Sequence, residues 1–130
     1  MPTPAKSGIY VATLRSIQLV PVTLDTRYVK TCARVNCCNI KIGKARDLSV
    51  REKNYWTDFG EANIVFLPIA ITQKIDAAET VVLRALKSFR KRSPKGAMMD
   101  WLEGISVDDA IGRMHEALTN ARLPYDRFPS

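Results

Sequence analysis

Two stretches of the chain have the hydrophobic pattern of strands. Residues 9–14, Ile-Tyr-Val-Ala-Thr-Leu, are rich in strand formers, and residues 39–43, Asn-Ile-Lys-Ile-Gly, alternate cleanly, so both are predicted strands. Ile9 and Val11 share a face opposite Tyr10 and Ala12, and Ile40 and Ile42 share a face opposite Lys41 and Gly43. With the four aliphatic side chains turned to the core, Tyr10 and Lys41 emerge together on the other face. Between the two strands lie about 25 residues, Arg15 to Cys38, too many for a plain hairpin turn, so part of this insertion must carry structure.

Helical spacing takes over after residue 47. A helix is predicted from about Leu48 to Phe59, capped by Asp47, with Leu48, Tyr55 and Phe59 on one stripe and Arg51 inside that stripe. Asn63 to Ile71 reads as a third strand, apolar on both faces, in which Pro68 demands an edge or a bulge. A second helix is predicted from Asp76 to about Arg90, with Ala78, Val82, Ala85, Leu86 and Phe89 at helical spacing and Pro94 and Gly96 stopping it. Asp76-x-x-Glu79 has the form of a capping box, which is one reading of Glu79. A last helix opens at Ser106, with Asp109 completing its cap, and buries Val107, Ala110, Ile111, Met114 and Leu118. His115 beside that face reads as a packing or surface histidine, and Leu123 to Ser130 as a trailing segment.

Charge and cysteine usage narrow the function classes. The 130 residues carry 20 Lys and Arg against 13 Asp and Glu, a net charge of +7 that favours a polyanionic partner. Six cations, Arg84, Lys87, Arg90, Lys91, Arg92 and Lys95, fall within twelve residues, a density suited to a phosphate backbone, whereas single charges usually belong to a solvated face. The longest apolar run, Ile64 to Ile71, is far short of the roughly 20 residues of a membrane span, and Met1–Ser7 is not followed by the h-region of a secretory signal, so a cytoplasmic protein without membrane contact is expected. Cys32, Cys37 and Cys38 are an odd number in one loop. They suit a reduced, half-buried cluster better than a zinc site, which would lack a fourth ligand, since His115 lies far away.

The order of motifs carries more than any one of them. Gly8-Ile9-Tyr10, then Lys41-Ile42-Gly43 running on through Lys44-Ala45-Arg46-Asp47-Leu48-Ser49-Val50-Arg51, then a helix containing Glu79, resembles the GIY-YIG family of divalent-metal-dependent nucleases. Gly43 to Arg51 is also similar to the Gly-Lys-Ala-x-x-Leu-x-x-Arg run of bacterial excision-repair incision nucleases. The resemblance covers about residues 8–90, and Lys-Ile-Gly as second motif is similar to a small, often phage-encoded branch. It implies a single α+β domain over residues 1–130, built on a small antiparallel three-stranded sheet flanked by helices. The long insertion would lie between the first two motif strands and bulge from one sheet edge, with a C-terminal helical extension at about 97–122.

The resemblance also implies roles, each answering a need of phosphodiester hydrolysis. Glu79 would hold a single Mg²⁺ or Mn²⁺, hard cations that keep several waters and can manage with one carboxylate. Tyr10 would act as general base or orient the attacking water; base work near neutrality needs positive charge beside it, which Lys41 is placed to supply. Arg51, a permanent charge in an apolar stripe, needs an anion, and Tyr55 would help it hold the phosphate. Lys44 would stand near the water, while Arg46 and the run Arg84 to Lys95 would grip flanking DNA, double-stranded or branched.

This chain departs from the family at Lys41, where many members have tyrosine, and at Lys91, where many have asparagine. Its insertion, available to read substrate or to make a homodimer, is longer than in compact members. The expected function is a metal-dependent DNA endonuclease. The alternatives are a nuclease-like module that binds nucleic acid without cutting it, and an RNA-binding or protein-interaction domain using the cysteine-bearing insertion.

Overall fold

Strand alternation sorts the apolar residues onto two opposite faces of one sheet. The computed structural model describes residues 2–21, 32–93 and 96–129. In chain order the elements are β1 (Gly8–Leu14), β2 (Gln18–Pro21), β3 (Cys32–Val35), β4 (Ile40–Ala45), α1 (Leu48–Phe59), β5 (Ile64–Ile71), α2 (Ile75–Ala85), β6 (Arg90–Arg92), β7 (Met98–Leu102), α3 (Val107–Asn120) and β8 (Asp126–Arg127). Ile9, Val11, Ile40 and Ile42 pack beneath α2 and α3, against Ala78, Val82, Leu86, Ala110, Met114 and Leu118. Tyr10, Ala12, Phe66 and Trp101 form a second core on the opposite face with Leu48 and Tyr55 of α1. The protein is therefore an α+β fold of three layers, with one helix on one face of the sheet and two on the other.

The sheet has six antiparallel strands in the order β6-β7-β4-β1-β5-β8, rather than the expected three. Its middle, β4-β1-β5, is the expected trio; the added strands come from segments read as a helix end and as a tail. The second helix stops at Ala85 instead of reaching Arg90, giving way to a tight turn at Lys87–Phe89 and then β6. Like charges explain the break. A continued helix would set Arg84, Lys87, Arg90 and Lys91 three and four residues apart. As a strand beside β7, the same segment puts Arg90 2.9 Å from Asp100, and Lys91 meets Glu103 at 3.4 Å. The extension at 97–122 is correspondingly strand then helix, and the trailing segment contributes β8, which pairs with Ala70 and Ile71.

Local signals hold elsewhere. Asp47 accepts from the Val50 amide, Ser106 from the Asp109 amide, and Pro68 sits where β1 and β5 slip register between Ile9 and Tyr10. The insertion forms a separate ribbon, β2 paired with β3, and Val20 and Val35 bury into the α1-side core. It leaves from the ends of two interior strands, not from a sheet edge. Cys37 and Cys38 are free and exposed in the following turn, 3.9 Å apart at sulfur, so the expected half-buried cluster is not found there; the Cys32 side chain lies outside the described residues. His115 is a packing residue, its Nδ1 3.0 Å from the Tyr125 hydroxyl. Among the described residues no helix is long and apolar enough to cross a membrane.

Two glycines are fixed by close approach. A Cβ on Gly8 would strike the Ala70 carbonyl oxygen, and one on Gly43 would strike the ring and hydroxyl of Tyr10. Gly43→Val should therefore destabilise the protein by about 1–3 kcal/mol through overpacking. Gly112→Ala, in a helix with open space around it, should stabilise it by about 0.5–1 kcal/mol. Urea unfolding midpoints check both; a neutral Gly43→Val would contradict the packing described.

Candidate active site

Antiparallel pairing assembles the centre of the site. Tyr10 lies opposite Gly43, and Ala12 lies opposite Lys41, so Tyr10 and Lys41 are diagonal neighbours on the α1 face, as their alternation implied. Because Gly43 has no side chain, the Tyr10 ring lies across it. The ring stacks on Phe66 with centroids 4.6 Å apart, and its hydroxyl is 2.8 Å from that of Tyr55. Arg51 stands one helical turn before Tyr55 on α1, and Glu79 approaches from α2.

Six residues assigned to catalysis and metal binding, Tyr10, Lys41, Lys44, Arg51, Tyr55 and Glu79, line one open cleft of about 840 Å³, with Arg46 on its rim. The basic run does not join them. Arg84, Lys87, Arg90 and Arg92 border a separate depression of about 530 Å³, and Lys95 lies outside the described residues. Arg90 is engaged by its neighbours, donating from Nε to the Met99 carbonyl at 2.7 Å and from Nη2 to Asp100.

Asp100 ties that depression to the cleft, and sequence reasoning missed it. Its carboxylate is 2.9 Å from Arg90 and 3.5 Å from Lys41, and it lines the cleft. Between the pairs Arg90↔Leu102 and Arg92↔Met98, β7 spends two more residues than β6, so Asp100 sits in a bulge where simple alternation fails. The available signal was a lone carboxylate inside the apolar pentapeptide Met-Met-Asp-Trp-Leu. Asp76 was likewise read as a cap. Instead α2 is entered at Lys74 with no side-chain cap, and Asp76 pairs with Lys44 at 2.7 Å. The capping box is not formed, which removes that reading of Glu79.

Burial governs the titrating groups. Tyr10, 1% exposed, has its pKa raised above the ordinary 10.0 by desolvation, which outweighs the opposing hydrogen bond from Tyr55 and the nearby Arg51 charge. Tyr55 is raised further, by burial and by Tyr10 itself. The expectation that Lys41 would draw Tyr10 toward phenolate is therefore not met. Lys41 is itself pushed down by burial, with Asp100 opposing. Glu79 is pushed up by burial against the pull of Lys44, 3.6 Å away, a cation closer to Asp76. Among the described residues no three His, Cys, Asp or Glu side chains gather as a metal cluster. A half-buried carboxylate facing water in a cleft still suits a hard cation that keeps most of its waters. No family model, curated protein or solved structure matches this chain.

The tyrosine pair makes a pH prediction. Both folded-state pKa values lie above the unfolded value, so their contribution to stability is full below pH 10 and is lost as pH rises from 10 through the folded-state values. Urea unfolding from pH 8 to 11 should show that decline. A Tyr10→Phe/Tyr55→Phe protein should decline less; parallel curves would contradict the buried pair.

Proposed function

We propose that this chain is a divalent-metal-dependent endonuclease of the GIY-YIG kind that hydrolyses phosphodiester bonds in DNA. The observation supporting the reading is the convergence of Tyr10, Lys41, Lys44, Arg51, Tyr55 and Glu79, from separate strands and helices, on one cleft open to solvent. Glu79 holds a Mg²⁺ or Mn²⁺ ion, which when bound supplies Lewis-acid charge at the reacting phosphate. Arg51 holds the phosphate: it is exposed to the cleft, and among the described residues no carboxylate lies within ion-pair distance of it. A planar, always-charged fork suits the growing negative charge of that group.

Tyr10 and Lys41 take separate parts around the attacking water and the phosphate. With its pKa raised, Tyr10 keeps its proton at neutral pH and orients the attacking water through its hydroxyl, which Tyr55 fixes at 2.8 Å. Lys41, 3.5 Å from Asp100, stands beside it and donates to a phosphate oxygen. Lys44 and Arg46, on the accessible side of the cleft, meet the flanking backbone.

Relaxation of supercoiled plasmid with Mg²⁺ tests this. Wild-type protein should nick, and Glu79→Gln and Arg51→Ala should each cut at least about 100-fold more slowly. Equal rates for all three would remove the site. Salt-sensitive DNA binding with no metal-dependent cutting would support the alternative of a binding module, which the mutually bonded, un-ionised tyrosine pair favours.

A further inference from the structure

Beside the cleft lies a smaller indentation of about 320 Å³, near the lower end of ligand-pocket sizes. One wall is a single stripe of α1, Arg51, Asn54, Tyr55, Asp58 and Phe59, at the spacing that puts residues on one helical face. Val20 of β2 and Trp101 of β7 close the other side. Lys41, Arg51, Asn54 and Tyr55 border both this space and the cleft, so the two adjoin.

We propose that this side space takes one unpaired nucleobase of the DNA strand whose phosphate lies in the cleft. The inference rests on the phosphodiesterase reading and deepens it by naming the substrate class: DNA with an unpaired nucleotide beside the scissile bond, as in a bulge, flap or single strand. The charge pattern selects the occupant. Among the described residues the cations of this space, Lys41 and Arg51, stand at the mouth shared with the cleft, and Asp58 repels a phosphate from the far part. The remaining walls are aromatic or aliphatic. Phe59, half-buried and nearly parallel to Tyr55 with 22° between planes at 6.0 Å, offers apolar surface to a flat heterocycle. The Asn54 amide and the Asp58 carboxylate offer both donor and acceptor groups to the edge of a base. A base still stacked and paired in a duplex cannot present its edge there, so the nucleotide must already be unpaired or be turned out.

The placement also gives the insertion a task. Val20, brought in by the β2–β3 ribbon, closes the wall that the sheet and α1 leave open. Arg51, at the boundary between the two spaces, is in position to hold the phosphate of the same nucleotide whose base enters the side space.

The test is metal-free binding of the full chain in EDTA, followed by fluorescence anisotropy. Three duplexes are compared: one with a single bulged nucleotide, one with an abasic residue at the bulge, and one fully paired. The bulged base should bind about ten-fold tighter than the abasic bulge, which has the same backbone and lacks only the ring. Phe59→Leu, which keeps apolar volume and removes the aromatic face, should reduce that ratio while leaving affinity for the paired duplex unchanged. Equal affinity for bulged and abasic DNA overturns the proposal without need of any variant. A base preference in a protein that never nicks plasmid would keep the side space and remove the nuclease reading, whereas nicking without the preference would do the reverse.

Discussion

The contact between the Tyr10 ring and Gly43 is the constraint on which the rest of the architecture depends. A phenol buried at the centre of a sheet needs space above the neighbouring strand and a partner for its hydroxyl. Gly43 supplies the space and Tyr55 the partner, at 2.8 Å. The first requirement fixes the register of β1 on β4, because sliding either strand by one residue would put Ile42 or Lys44 opposite Tyr10 and reverse the buried face. The second fixes the docking of α1, because Tyr55 reaches Tyr10 only if the helix lies with Leu48 and Tyr55 against the sheet. Arg51, one turn away, is carried to the cleft by the same placement. A contact that looks purely structural thus sets the position of the charge best suited to hold a phosphate.

Pairing across the sheet decides how the remaining cations are used. Asp100 holds Arg90 and approaches Lys41, joining an edge strand to the strand that floors the cleft. Arg90 is therefore committed to folding, as is Lys91 through Glu103, leaving Arg84, Lys87 and Arg92 exposed around their own depression. A run of basic residues is one block in the sequence and two populations in space. Counting charges along the chain could not separate them, since the acids that pair with them lie ten to twelve residues further on.

What was legible in the sequence was local. The pattern around Ile9, Val11, Ile40 and Ile42 and the Asp47 and Ser106 caps each act within a few residues, and each appears in the fold. The motif residues Tyr10, Lys41, Arg51 and Glu79 could be named and are brought together. Strands β6 and β8 were illegible because each is only two or three residues long, with nothing in Arg-Lys-Arg or Asp-Arg to announce it, and β7 joins the sheet by pairing with the distant β4. Asp100 was hidden by a bulge, and the Asp76-x-x-Glu79 cap was a false signal because Lys44, remote in sequence, captures Asp76. The tyrosine ionisation was misjudged for a related reason. Proximity of positive charge can be guessed from strand pairing, but the depth of burial that overrides it depends on helices packed above.

The acids and bases of the cleft are balanced in a way that couples its possible occupants. Lys44 lies between Asp76 and Glu79, nearer to Asp76, and both partners of the shorter contact are exposed enough for water to screen it strongly. An anion entering the cleft competes with these carboxylates for Lys44. Drawing the ammonium away removes from Glu79 the principal positive charge that offsets its burial. The half-buried carboxylate then either takes a proton or takes a cation from solvent. With a hard divalent ion present, Glu79 would be the group to hold it, and the ion would supply positive charge beside a phosphate. In the proposed nuclease, phosphate and metal would therefore favour one another's binding through a single lysine, and linkage would make that help mutual.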